Sequence, residues 1–214
     1  MSRRASRQGG LCLLATAALF ARAGSLEVAV QDAAGAAVAD AAVYAVPANG
    51  GAEARGRTAE ITQLDREFIP FVTVIQVGTT VAFPNRDPIM HHVYSFSPAK
   101  PFEIKLYTGK SPQQVAFDKP GVVVLGCNIH DWMLAYVVVV PTPYFGRTDA
   151  SGVVMMPELP AGAYEVHAWH PLQRAALAPA EVTVPASGGA EARFRFDLAP
   201  RKAKFKPPLD RMKY

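Results

Sequence analysis

Short runs in which apolar and polar residues alternate recur along the whole chain, and almost no segment shows a helical period. Runs rich in β-branched or aromatic residues include "SLEVAVQD", "TVAFPN", "HHVYSFS", "LAYVVVVP" and "ARFRFDL". Gly, Pro, Asn and Asp bound these runs, as is typical of short strands joined by turns. The pattern predicts an all-β protein built from sandwiches.

The first 23 residues follow a different pattern. A basic start, "MSRRASRQGG", precedes the apolar run "LCLLATAALF" and the small residues "ARA". This order is typical of a secretory signal peptide, and we expect cleavage after Ala23 and a periplasmic protein. The apolar run is about half the roughly 20 residues that a membrane span needs. We therefore expect no membrane span after the signal is removed.

Removing the signal changes the meaning of the formal charge of +4. The first 23 residues carry four arginines and no acid, so the remainder balances 18 basic residues against 18 acidic ones. Six of those basic residues lie in the tail 200–214, opposed only by Asp210. Because the body is net acidic, its charge does not predict nucleic-acid binding. The basic tail is typical of a solvated chain end, with a docking arm as the alternative.

The stretch "GCNIHDWM" contains the cysteine that remains once Cys12 leaves with the signal. Cys127, His130 and Met133 fall within seven residues, at the end of one predicted strand and before the next. An unpaired thiol in an oxidising compartment is a liability unless something holds it. A copper ion that alternates between Cu(I) and Cu(II) accepts two imidazoles, a thiolate and a weak axial thioether. The alternative is an inert cysteine in a β-core.

A second imidazole has to come from "MHHVYSFS", about 35 residues upstream. His91 and His92 are both candidates, and strand alternation does not choose between them because either face could point inward. Zinc would also accept cysteine and histidine, but it has no use for a thioether, and structural zinc sites usually hold paired cysteines. The Cys-x-x-Cys-His motif of c-type haem is absent. These points favour copper, and a zinc site or no metal site is the alternative.

From about residue 60 to 140, the chain resembles the cupredoxins, the type 1 blue copper family that includes amicyanin and plastocyanin. The resemblance lies in "FIPFVTVIQVGTTVAFPNRD", in "HHVYSFS" and in "FDKPGVVVLGCNIHDWM". It implies a Greek-key sandwich with one type 1 copper ion bound by His91, Cys127, His130 and Met133. His92 then stands where cupredoxins commonly have an asparagine. We expect His130 to be the more exposed ligand, ringed by apolar side chains such as Trp132 or Pro88.

The flanking segments "EVAVQDAAGAAVADAAVYAVP" and "TDASGVVMMPELPAGAYEVHAWHP" resemble the two halves of a carboxypeptidase regulatory-like, or transthyretin-like, domain. The cupredoxin segment therefore looks inserted into a second, smaller β-sandwich. The predicted division is a signal peptide at 1–23, a first part of the outer sandwich at 24–57, a cupredoxin domain at 58–141, the second part of the outer sandwich at 142–199, and the basic tail at 200–214.

Four protein ligands leave no coordination position open for a substrate, so we do not expect an enzyme. The resemblance implies a periplasmic carrier of single electrons, similar to proteins labelled methylamine utilisation proteins. The resemblance also implies redox protein partners such as a dehydrogenase or a c-type cytochrome. A copper-binding module for storage, delivery or sensing is the alternative.

Overall fold

The computed structural model describes residues 23–50, 57–109 and 112–200. These residues form seventeen β-strands and no α-helix, which confirms the all-β prediction. No helix among them has the length and apolar character needed to cross a membrane. The predicted signal peptide and basic tail lie outside the described residues, apart from Ala23 and Pro200.

The strands are short and connected by turns, as the spacing of glycine and proline indicated. In chain order they are β1 Ala23–Asp32, β2 Ala42–Pro47, β3 Thr58–Glu60, β4 Thr62–Leu64, β5 Glu67–Ile69, β6 Val72–Gln76, β7 Thr79–Phe83, β8 His91–Ser95, β9 Phe102–Tyr107, β10 Gln113–Phe117, β11 Gly121–Gly126, β12 Leu134–Val140, β13 Phe145–Arg147, β14 Val153–Pro160, β15 Gly162–Trp169, β16 Ala180–Val184 and β17 Gly189–Phe196.

Strands from both ends of the described chain form one sandwich, here called the outer sandwich. Its sheets have the orders β14-β1-β17 and β13-β2-β15-β16. Strand β1 runs antiparallel to β14 and parallel to β17, while β2 runs antiparallel to β13 and β15. Leu26, Tyr164 and Phe196 belong to the buried cluster between the sheets. This core joins segments that are more than 100 residues apart in the chain.

The strands between these segments form a second sandwich, here called the middle sandwich. A five-stranded sheet, β6-β12-β11-β8-β9, packs on a three-stranded sheet, β10-β7-β3. Phe83, Phe117 and Leu125 are fully buried in its core, which also contains Cys127 and Met133. A small hairpin, β4–β5, is a separate two-stranded sheet. The predicted metal ligands therefore belong to the middle sandwich.

Strand β12 contacts both sandwiches. Val137 and Val139 point into the middle core, whereas Val138 and Val140 belong to a small apolar cluster shared with strand β2 of the outer sandwich. This division follows from the two-residue period of a strand. The cluster also includes Trp169, whose ring lies 5.5 Å from that of Tyr136. Both faces of β12 are thus covered, which explains its nearly continuous apolar sequence.

Candidate metal centre

Three of the predicted ligands meet at one end of the middle sandwich. The candidate donor atoms of His91, Cys127 and His130 all lie within 4.8 Å of one another. The two Nδ1 atoms are 3.1 Å apart, and Cys127 Sγ lies 3.7 Å from His130 Nδ1. Nitrogen ligands at about 2.0 Å from one ion stand about 3.3–3.5 Å apart at tetrahedral to trigonal angles. A small outward shift of one ring would therefore suit a single metal ion.

The local sequence explains why Cys127 faces inward. Val123, Leu125 and Cys127 alternate along and just beyond β11, and all three are buried in the middle core. Gly126, between them, packs under the ring of Tyr94, where an added Cβ would lie only 2.7 Å from Cζ. The small residue before the cysteine thus lets strand β8 approach the end of β11.

Met133 closes the loop that carries Cys127 and His130. Its backbone N–H donates to the His130 carbonyl at 2.9 Å, which makes a tight turn before β12 begins at Leu134. The Met133 side chain is 2% exposed and belongs to the same core cluster as Cys127. The loop therefore brings the thiol, an imidazole and a thioether to one buried end of the core.

The structure distinguishes the two adjacent histidines. His91 is fully buried and faces His130, whereas His92 Nε2 contacts Glu103 Oε1 on β9 at 3.0 Å. The pairing of β8 with β9 shifts register between His91 and Val93. His91 is the histidine that the fold brings to the cysteine.

Sequence reasoning missed Asp87, whose side chain is 7% exposed. Its carboxylate contacts His91 Nε2 at 2.7 Å and accepts backbone N–H bonds from Asp65 and Arg66 at 2.7 and 2.8 Å. Burial alone would raise the pKa of Asp87, but the Arg66 backbone, the His91 ring and the Asp65 backbone together lower it. An ionised carboxylate only accepts, so His91 Nε2 carries the proton and Nδ1 keeps its lone pair. An acid in a polar loop offers no sequence signal for this role.

The electrostatics of the centre keep both imidazoles neutral. Burial lowers the pKa of His91 and outweighs the opposite effect of Asp87. Burial lowers the pKa of His130 most; the repulsion between its proton and a proton on His91, and then the charge of Arg66, add to this and bring the value to about 4. Neutral imidazole is the form that binds metal ions, so at neutral pH a metal would not have to displace protons from these rings.

The expectation that His130 is the more exposed ligand is wrong, because both histidines of the cluster are 0% exposed. The half-buried Trp132 packs beside His130, with the ring centroids 5.2 Å apart. Trp132 Nε1 donates to the Arg66 carbonyl at 3.2 Å, and the Arg66 guanidinium lies 5.9 Å from the centroid of the indole ring. These contacts to the turn of hairpin β4–β5 hold the indole over the imidazole and shield it from solvent.

Comparison with known proteins gives structural matches alone. No protein-family model and no curated protein matches this chain. A copper-containing nitrite reductase from Thermus scotoductus SA-01 is 26% identical with a TM-score of 0.37, covering 42% of this chain and 24% of its own. This chain therefore spans about a quarter of that enzyme.

Two smaller proteins also match. A purple cupredoxin from Nitrosopumilus maritimus is 24% identical with a TM-score of 0.35, covering 38% of this chain and 99% of its own. An amicyanin variant in its reduced Cu(I) form is 20% identical with a TM-score of 0.36, covering 41% and 86%. Each of these two matches covers about two fifths of this chain.

Proposed function

We propose that this protein binds one type 1 copper ion through His91, Cys127, His130 and Met133 and carries single electrons between periplasmic redox partners. The observation that carries the proposal is the meeting of two imidazole Nδ1 atoms and a cysteine Sγ, all buried, within 4.8 Å. Two imidazoles and a thiolate with a weak axial thioether suit both Cu(I) and Cu(II). Met133, buried in the same core, supplies the thioether.

When bound, copper would supply a one-electron couple. The residues of the chain hold the donors in place, since Cys127 follows β11, the central strand of the five-stranded sheet, and His91 begins β8. The surrounding core excludes water from the donors, which are at most 3% exposed. One electron would arrive from a donor such as a dehydrogenase and leave to an acceptor such as a c-type cytochrome, with no atom transferred.

The burial of the donors favours a carrier over a delivery protein. A delivery protein passes its ion directly to ligands of a partner, so its donor atoms have to be reachable. Here, Trp132 would have to leave both His130 and the Arg66 carbonyl before a partner ligand could approach from that side. An electron needs only close approach of a partner surface. The exposed side chain of Met90, next to His91, and the half-buried Trp132 offer apolar contacts for such a partner.

Copper loading tests the proposal. The reduced apo protein is titrated with Cu(II), and the visible spectrum and the bound copper are measured. We expect one copper per chain and an intense sulfur-to-copper charge-transfer band that Cys127→Ser abolishes, because a hydroxyl is a far poorer donor to copper. A colourless wild-type protein whose Cys127 thiol remains titratable would refute the proposal. Cys127 would then be an inert core thiol.

A further inference from the structure

Asp87 links the candidate metal centre to the turn of hairpin β4–β5. One carboxylate oxygen, Oδ2, accepts from His91 Nε2 at 2.7 Å and from the Arg66 N–H at 2.8 Å. The other, Oδ1, accepts from the Asp65 N–H at 2.7 Å. Three donors therefore meet one nearly buried carboxylate, and each of them favours its ionised form.

We infer that Asp87 is a positioning residue that fixes the tautomer and ring orientation of His91 and that its negative charge favours the oxidised state of the bound copper. This inference rests on the proposed function. Because the carboxylate only accepts, the Nε2 proton of His91 stays on the side of Asp87 and the Nδ1 lone pair faces Cys127 and His130. A negative charge one imidazole away from the metal stabilises Cu(II) more than Cu(I), since Cu(II) carries the larger positive charge.

The hairpin turn is shaped to hold this carboxylate. Asp65 and Arg66 have φ angles of 53° and 58°, and their consecutive N–H groups both point at Asp87. Successive N–H groups in a turn form an anion-binding concavity. The same Arg66 accepts from Trp132, which packs against His130. Asp87 thus contacts the ligand His91 directly. Through the turn at Arg66 it is also linked to Trp132, the indole that shields the second ligand, His130.

Asp87→Asn tests the inference because it keeps the size of the side chain and removes the charge. The Cu(I) and Cu(II) affinities are measured by competition titration, together with the reduction potential. We expect the Cu(II) affinity to fall about 10–100-fold and the Cu(I) affinity to fall less. The reduction potential then rises by about 59 mV for each tenfold fall in the ratio of the Cu(II) affinity to the Cu(I) affinity. Asp118→Asn is the control, since it removes the same charge from an exposed carboxylate paired with Lys100 at 3.2 Å.

The outcomes separate this inference from the proposed function. A wild-type protein without the charge-transfer band refutes the proposed function. A coloured wild-type protein with the same affinity ratio in Asp87→Asn overturns only the inference.

If Asp87→Asn does not fold, nitrogen-15 NMR of the wild-type Cu(I) protein decides: we expect a slowly exchanging proton on His91 Nε2. An unprotonated His91 Nε2 would overturn the assignment. Asp87→Glu, which keeps the charge, should hold the affinity ratio within a few-fold of wild type, and a larger change would count against the inference.

Discussion

At the scale of single residues, the two adjacent histidines have different surroundings. His91 has one ring nitrogen 3.1 Å from His130 and the other 2.7 Å from Asp87. The Nε2 atom of His92 instead contacts Oε1 of the exposed Glu103 at 3.0 Å. Of these two histidines, only His91 therefore lies within the cluster of candidate metal donors.

Substitution of each histidine tests this difference. We expect His91→Ala to abolish the charge-transfer band after copper loading, because it removes a ligand. His92→Asn should keep the band and lower the unfolding free energy by roughly 0.5–3 kcal/mol, because it removes a buried ring and its contact with Glu103. Absorption after loading, together with thermal unfolding of the apo forms, measures both effects. Loss of the band in His92→Asn with retention in His91→Ala would move the ligand by one residue.

Met133 should tune the centre rather than create it. We expect Met133→Gln to keep a modified coloured site and to lower the reduction potential, since a harder oxygen donor favours Cu(II). Met155→Gln is the matched control, because Met155 is half exposed on strand β14 of the outer sandwich. Voltammetry on both variants gives the comparison. An unchanged potential in Met133→Gln would remove Met133 from the ligand set.

At the scale of elements, the loop between β7 and β8 positions both Asp87 and His91. Asn85, which is buried in this loop, donates to the carbonyls of Ile89 and Tyr107 at 2.8 and 3.0 Å. Its Oδ1 also accepts from the Asp87 N–H at 3.0 Å. One side chain thus ties the two ends of the loop to each other and to the end of β9.

Removing Asn85 should loosen this loop. We expect Asn85→Ala to lower the unfolding free energy by about 1–3 kcal/mol, because it leaves partly buried carbonyls without their donor, and to weaken copper binding through Asp87. Asn49→Ala, at an exposed asparagine of the outer sandwich, should change neither quantity. Denaturant unfolding and copper titration of both variants give the test. Equal unfolding free energies and equal copper affinities in the two variants would contradict the idea that this loop positions Asp87 and His91.

At the scale of the whole molecule, an aromatic contact joins the two sandwiches. Trp169 of the outer sandwich packs against Tyr136 of the middle one, and Phe71 meets Tyr136 edge to face at 5.5 Å. The metal centre lies at the loop that precedes β12, and this contact lies along the outer face of the same strand. Copper should therefore stabilise the middle sandwich directly and the outer one through the shared apolar cluster to which this contact belongs.

Calorimetry tests this coupling. We expect Trp169→Ala to cost roughly 2 kcal/mol, since it removes a half-buried indole, and to separate the unfolding of the outer sandwich from that of the copper-loaded middle sandwich. The outer sandwich should unfold first, and the charge-transfer band should persist until the second transition. Phe96→Ala, at an aromatic residue of the middle sandwich that is 86% exposed, serves as the comparison. A single cooperative transition in Trp169→Ala would show that this contact does not couple the two units.

The sequence by itself determined what depends on neighbours along the chain. The two-residue alternation and the turn residues predicted an all-β protein, and Cys127, His130 and Met133 are close in space because one short loop carries them. Only the tertiary structure decided what depends on distant segments. The strands packed beside β8 place His91 next to the cysteine. Arg66, in the hairpin turn, accepts from Trp132, which lies over His130, and donates to Asp87, which contacts His91. Such contacts follow from how strands pack, which no local pattern encodes.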